Sequence, residues 1–199
     1  MIQYDSTHRT NSMTDLVTRA GATAFLLLYT AAAANPAAAA AGTLLASLAC
    51  SSTFGTVASG VLTANAITAS IAAASGTALQ WRLCTSSAGT TCIAQGNVYT
   101  QSTAVTNAAS AAGIATLSFA SAPSVVNGQT VTGTNIPPGT YVIAGGGTTT
   151  LTLSNAVATG GVSSGATITF GGDVSFNSAV FSSGQNVSVS SFVLTASGA

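Results

Sequence analysis

The sequence predicts an all-β protein, a β-sandwich of jelly-roll or Ig-like type, with a short N-terminal helix and an inserted small β module. Short apolar runs recur along the chain, and turns rich in Gly and Thr separate them. The clearest strand, turn and strand lies at 77–98, where Leu79, Trp81 and Leu83 alternate with polar residues. We expect this hairpin to cross the centre of the sandwich, with Trp81 as the core anchor and Arg82 pointing away.

The composition points to a protein whose surface is covered by other protein. The chain of 199 residues is 47% apolar, which excludes wholesale disorder, but only 3% charged, against about 25% in ordinary domains. Four of its six charged residues lie in the first nineteen positions, which leaves only Arg82 and Asp173 beyond them. A chain with so little charge tends to associate with its copies, so we expect a homo-oligomer. It also lacks the cation cluster that nucleic-acid binding requires.

The N-terminal segment predicts an extended arm over residues 1–11 and a helix after it. Ser12 to Asp15 has the spacing of a capping box, and apolar residues then recur at helical intervals up to Gly21. We expect the arm to be ordered through contact with another subunit. The candidate interaction residues here are His8, Arg9 and Arg19.

The run 24–30 is continuously apolar, as in a strand buried on both faces. A signal peptide or membrane helix is the alternative, but the apolar block is too short to span a bilayer. The Ala-rich stretch 31–41 is interrupted by Asn35-Pro36 and predicts a loop with at most a single turn. Further strands are expected at 43–49 and 60–70.

The chain changes character after Ala108, where short Thr/Val strands alternate with Gly and Pro up to Gly171. We therefore expect three parts: the arm at 1–11, a sandwich domain formed by 12–107 together with 172–199, and an inserted β module at 108–171.

Several stretches resemble small virion structural proteins of tailed bacteriophages. These are RTNSMTDLVTRAGATAFLLLYT, GTLLASLAC, GVLTANAITA, the hairpin SGTALQWRLCTSSAGTTCIAQGNV and the closing GDVSFNSAVFSSGQNVSVSSFVLTA. The resemblance covers roughly 9–105 and 172–196 and depends on the order of the motifs. The segment VVNGQTVTGTNIPPGTYVIAGGGTTTLTLSNAVATG is similar to a module of phage tail, fibre and capsid-associated proteins. The family's acidic residues in the leader loop are absent here, and the Ala-rich insertion around position 36 is unusual.

This resemblance implies a capsid decoration or cement protein that binds and stabilises the assembled head. Its partners would be the major capsid protein or other virion proteins, without nucleic acid or membrane, and its location the virion, assembled in the bacterial host cytoplasm. A neck, tail or fibre component, or a host-surface-binding (adsorption) module, is the alternative. For such a module Tyr141 is the candidate interaction residue, with Tyr99 a weaker one.

No catalytic residues, cofactor or metal site are predicted. His8 is the only histidine, and the three cysteines follow no metal-ligand spacing. A three-residue turn ending at Gly89 would place Cys84 opposite Cys92, Leu83 opposite Ile93 and Trp81 opposite Gln95. A disulfide fits this register, but assembly in a reducing cytoplasm favours two thiols. Arg82 and Asp173 are each a lone charge in a neutral strand, so they either pair or face solvent.

Overall fold

The computed structural model describes residues 5–196 and shows a protein built mostly of antiparallel strands, with one N-terminal helix. The predicted all-β class and the helix are confirmed. Within the described residues the chain divides into two compact units, 5–100 with 173–196 and 101–172. None of the helices in this part of the chain has the length and apolar character to cross a membrane.

Helix α1 (Ser6–Ala20) is followed by a short 3-10 turn, Gly21–Thr23. It begins at Ser6 because the Asp5 side chain accepts the His8 backbone N–H at 2.7 Å, which caps the first turn. The prediction of an extended arm is therefore wrong over residues 6–11, and its first four residues lie outside the described part of the chain.

The predicted capping box at Ser12 lies inside the helix instead. The hydroxyls of Ser12 and Thr14 donate to the carbonyls of His8 and Thr10, four residues earlier, at 3.0 and 2.8 Å. Such bonds let a residue that favours helix ends be accommodated within a helix. The apolar stripe was predicted correctly, since four residues of α1 pack into or against the core: Met13, Leu16, Val17 and Ala20.

Eight strands of the first unit precede the second unit. They are β1 (Phe25–Tyr29), β2 (Leu44–Ala49), β3 (Gly55–Ala58), β4 (Val61–Ala64), β5 (Ser70–Ile71), β6 (Gly76–Thr77), β7 (Gln80–Cys84) and β8 (Cys92–Asn97). The second unit contains β9 (Ser102–Val105), β10 (Thr116–Ser118), β11 (Thr130–Thr132), β12 (Val142–Ala144), β13 (Thr150–Leu153) and β14 (Thr167–Gly171). The chain then returns with β15 (Val174–Phe176), β16 (Val180–Phe181), β17 (Asn186–Val187) and β18 (Val189–Thr195).

The first unit has two four-stranded sheets, in the orders β2-β1-β7-β8 and β15-β18-β4-β3, and two short ribbons, β16-β6 and β17-β5. Both sheets contribute to one hydrophobic core. Trp81 is 2% exposed, and its ring meets Phe192 of the other sheet edge to face at 5.0 Å. A Cβ on Gly96, the residue opposite Trp81, would lie 2.6 Å from the indole, so β8 needs glycine there.

The pairing register of the central hairpin matches the prediction at Cys84 and is one residue off beyond a bulge. Gly89 has the expected positive φ of 67°, and Cys84 lies opposite Cys92. A register shift between Leu83 and Cys84 then places Leu83 opposite Ala94 and Trp81 opposite Gly96, rather than Ile93 and Gln95.

Strand β7 is buried along its whole length, on both faces of its sheet. Arg82 is 1% exposed, whereas Leu79, which precedes the strand, is 51% exposed. The prediction that Leu79 points into the core with Trp81 and Leu83 is therefore wrong. Arg82 does lie on the face opposite Trp81, as alternation predicted, but that face is buried rather than exposed. That face is buried because the Ala-rich stretch 31–41 lies over it.

The six strands of the second unit form a closed ring. Its sheets, β10-β13-β12 and β11-β14-β9, are joined by bridges at Thr130↔Tyr141 and Thr106↔Phe119. Their inward side chains form a separate core, which includes Leu117, Phe119, Val131, Leu151, Leu153, Ile168 and Phe170.

The second unit starts earlier than the predicted module boundary at Ala108. Strand β9 pairs with β14, with Ser102 opposite Phe170, so Gln101–Gly172 forms the unit. Because its first and last strands are neighbours, the two connections to the first unit leave from adjacent positions. The sequence of β9, Ser-Thr-Ala-Val, is short and only half apolar, and it gave no sign of this pairing.

We predict that Trp81→Ala destabilises the protein by roughly 3–5 kcal/mol, because it leaves a cavity where the indole packs on Phe192. Leu79→Ala is the matched control, and we expect it to cost less than about 1 kcal/mol because Leu79 is mostly exposed. Urea unfolding followed by far-UV circular dichroism measures both. Equal losses in the two variants would contradict the assignment of the core.

We also predict that the second unit can be removed. Replacing residues 101–172 with a short Gly/Ser linker should leave the first unit with one cooperative unfolding transition, since each unit has its own core. Calorimetry on the shortened chain measures this. A chain that no longer unfolds cooperatively would show that the first unit depends on the second.

Candidate interaction surfaces

Helix α1 carries all three predicted N-terminal interaction residues. His8 and Arg19 are exposed, and Arg9 is half-buried. The helix is seated on the turn between β3 and β4, where Gly60 N–H donates to Thr10 Oγ1 at 3.1 Å. A Cβ on Gly60 would lie 2.8 Å from that of Arg9, so the helix approaches this turn closely. The structure therefore places His8 and Arg19 on the outer surface of a docked helix.

Tyr141 belongs to the second unit and lies just before β12. Its side chain is 46% exposed, and Ile143, two residues further along the chain, is 49% exposed. The backbone is fixed, since Tyr141 N–H donates to Ser154 Oγ at 3.0 Å and its carbonyl accepts the Ser154 N–H at 2.8 Å. The half-exposed ring of Tyr141 is thus carried on a fixed backbone. Tyr99 is half-buried, and its hydroxyl accepts a hydrogen bond from Asn97.

Other large apolar side chains are also exposed in both units. In the first unit Val180 of β16 lies opposite Thr77 of β6, and it is 62% exposed. The remaining exposed apolar side chains include Ile71, Leu79 and Val193 in the first unit, and Val105, Ile114 and Val126 in the second.

A cluster of polar side chains that was not predicted from the sequence lies on the outer face of β7. The Ala-rich segment 31–41, which we call the strap, covers this face and is bonded to the cluster. Arg82 Nη2 donates to the carbonyls of Pro36 and Ala38 at 2.7 and 2.8 Å. Gln80 bonds both the N–H and the carbonyl of Ala33, at 3.0 and 3.3 Å. Gln95 also donates to the Ala33 carbonyl, at 2.9 Å.

These bonds explain why Arg82 is neither paired with Asp173 nor exposed, the two alternatives that the sequence left open. The strap has no large side chain, so its packing on β7 could not be read from hydrophobic periodicity. A signal was available, however. Gln80, Arg82 and Gln95 are long polar side chains on neighbouring strands, and the loop of neutral residues before β2 offers free carbonyls.

The cysteines differ from the expectation of free thiols. Cys84 and Cys92 form a disulfide at the end of the β7–β8 hairpin. The third, Cys50, is unbonded, and burial raises the pKa of its thiol to about 12. The Cys50 thiol therefore stays protonated at neutral pH, which disfavours reaction as a nucleophile.

Residues 5–196 contain no group of three His, Cys, Asp or Glu side chains that could hold a metal ion. A groove of about 140 Å³ lies between the end of β4 and the start of β18, and it is lined by Ala64–Ile67 and Val189–Phe192. Its side chains are apolar or hydroxylic apart from the amide of Asn65, so it offers shape and hydrogen bonds rather than an acid or a base.

Comparison with protein-family models, with curated proteins and with solved structures finds no match for this chain.

Asp173 leads to a prediction about pH. Burial raises the pKa of its carboxyl group above the ordinary value. Because the folded state then binds the proton more tightly than the unfolded state, ionisation of Asp173 destabilises the fold as pH rises. Asp173→Asn should therefore raise the melting temperature at pH 7, and this gain should vanish below the unfolded pKa of about 3.9.

Thermal unfolding of both proteins between pH 3 and 8 tests this, with Asp15→Asn on the exposed face of α1 as the control. A gain for Asp173→Asn that is as large at pH 3 as at pH 7 would show that the cause is not the charge.

Proposed function

We propose that this chain is a non-enzymatic bacteriophage virion structural protein, a capsid decoration or cement protein that binds and stabilises the assembled head. The observation that carries the proposal is the distribution of charge. Four of the six charged side chains lie on α1 or its cap. Of the other two, Arg82 is buried under the strap and Asp173 is partly buried.

A surface of this kind suits a subunit with permanent neighbours. Outside α1 and its cap residue Asp5, the described residues present no fully exposed charge, while large apolar side chains are exposed on both units. In a free monomer such a surface promotes association, whereas in an assembly it is buried. The sequence resemblance to tailed-phage virion proteins supports the same class, with the major capsid protein or other virion proteins as the partners it implies. The scarcity of charge adds further copies of this chain as partners.

A neck, tail or fibre component with a host-binding role is the second candidate. The half-exposed ring of Tyr141, held by its two backbone bonds to Ser154, favours it, because aromatic surfaces are common in glycan-binding sites. In this case the second unit would contact the host and the first would attach to the virion.

The location and copy number of the chain in purified virions test these alternatives. Quantitative mass spectrometry gives copies per particle, and cryo-electron microscopy gives their position. Copies in proportion to the capsomers, seated on the head, support a decoration protein. A few copies at the neck or tail would favour the second candidate, and absence from the particle would overturn both.

We predict that the exposed face of α1 contributes to attachment. Arg19→Ala should leave the free energy of unfolding within about 0.5 kcal/mol of its original value, since Arg19 is exposed. The same change should lower occupancy on particles, which is measured by gel densitometry of virions saturated with the protein. Thr18→Ala, a neutral change next to it, is the control. Full occupancy with Arg19→Ala would remove α1 from the proposed interface.

A further inference from the structure

The strap is attached to the first unit in an unusual way. Its side chains are nine alanines, Asn35 and Pro36, so it brings little apolar area to the contact. Hydrogen bonds from Gln80, Arg82 and Gln95 hold it down. Its two ends are tied to each other, since Thr30 N–H donates to the Thr43 carbonyl at 3.1 Å and Thr43 N–H to Thr30 Oγ1 at 2.9 Å. The strap can therefore lift as a loop while β1 and β2 stay paired.

The closed strap leaves buried polar atoms without partners. Ser47, Leu27, Arg82 and Gln95 form one row across the sheet, because each lies opposite the next in neighbouring strands. In this row Ser47 Oγ, Arg82 Nε and Nη1, and Gln95 Oε1 are all buried without a hydrogen-bond partner. Buried groups of this kind destabilise the arrangement that hides them. Lifting the strap would return these atoms to water, which offsets part of the loss of its own hydrogen bonds.

The charge of Arg82 is also unbalanced. A guanidinium group has five N–H donors and stays protonated, but here its partners are the neutral carbonyls of Pro36 and Ala38, both on Nη2. Hydrogen bonds from a guanidinium to a carboxylate are stronger than those to a neutral carbonyl, and they are often bidentate. Because both carbonyls are bound by Nη2, the neighbouring Nη1 has no partner, and the two-nitrogen fork that a carboxylate would bind is only half used.

We propose that the strap is a displaceable cover, and that an acidic side chain of a partner protein replaces the Pro36 and Ala38 carbonyls on Arg82. The identity of the partner as a virion protein rests on the proposed function, whereas the binding chemistry does not. The chain itself offers few carboxylates for this purpose, with only three Asp and no Glu. The site would thus select a partner segment that carries Asp or Glu among small residues like those of the strap.

A synthetic peptide with the strap sequence 31–41 and the change Ala38→Glu is the probe. The unmodified strap peptide and sodium acetate are its controls. Binding is measured by titration calorimetry to the full chain and to a chain in which 33–39 is replaced by two glycines. We expect the Glu peptide to bind the strap-shortened chain on the order of tenfold more tightly than the full chain, because no cover must first open.

Two matched variants, made in the strap-shortened chain, assign the effect to Arg82. Arg82→Gln should abolish the preference for the Glu peptide over the unmodified peptide, whereas Arg19→Gln, which removes the same charge from an exposed site, should keep it. Equal binding of the two peptides to the strap-shortened chain would overturn the proposal. So would acetate that binds as tightly as the Glu peptide, since the ligand would then be a free carboxylate.

Hydrogen exchange of the Ala33 amide gives a second test that needs no variant. This amide is buried and donates to Gln80 Oε1. We expect it to exchange through local opening, at least tenfold faster than the amides of Leu27 and Leu83 in the strands beneath. Exchange at the same rate as those amides would show that the strap opens only with the whole unit, and would overturn the proposal. Neither test depends on the virion, so a negative result in particles would count against the proposed function alone.

Discussion

The first unit depends on a single strand that is buried on both of its faces. On one face of β7, Trp81 packs against Phe192 and brings the two sheets into one core. On the other, Arg82 carries a charge that no described carboxylate neutralises, and it must find hydrogen-bond acceptors where water is excluded. The strap supplies those acceptors. The hydrogen bonds of Arg82 therefore hold the Ala-rich strap in place, and the carbonyls of the strap allow the charge of Arg82 to be buried.

This dependence explains which parts of the fold the sequence could predict. Strand β1 and the hairpin around Gly89 were predictable because they follow local rules: a continuous apolar run, and a turn position that needs positive φ. The strap could not be predicted, because alanines, Asn35 and Pro36 show no periodicity. Alternation along β7 correctly placed Arg82 on the face opposite Trp81. Without the strap, however, that face was expected to be exposed unless Arg82 paired with Asp173. The predicted start of α1 was wrong for a related reason. Asp5 and Ser12 are both capping residues, and only packing decides which of them begins the helix.

The candidate surfaces also divide into those that could be predicted from the sequence and those that could not. His8, Arg9 and Arg19 attracted attention because charges are rare in this chain, and the structure places all three on one docked helix. Tyr141 followed from the rarity of aromatic side chains in its segment. The cluster of Gln80, Arg82 and Gln95 escaped notice because its members come from two strands and bind the backbone of a third segment. Contacts between a side chain and a distant backbone carbonyl leave only a weak signal in the sequence, which here was three long polar side chains on two neighbouring strands.

The closed ring of the second unit has a consequence for how such a protein can be assembled from parts. A ring of paired strands offers no free edge for pairing with another chain. Its first and last strands lie side by side, with Ser102 opposite Phe170. Its two ends are therefore already held together, and a host turn that receives it loses little additional loop-closure entropy. A segment with these properties can be transferred by recombination into a turn of an unrelated β protein, where it adds a new outer surface without disturbing the pairing of the host strands.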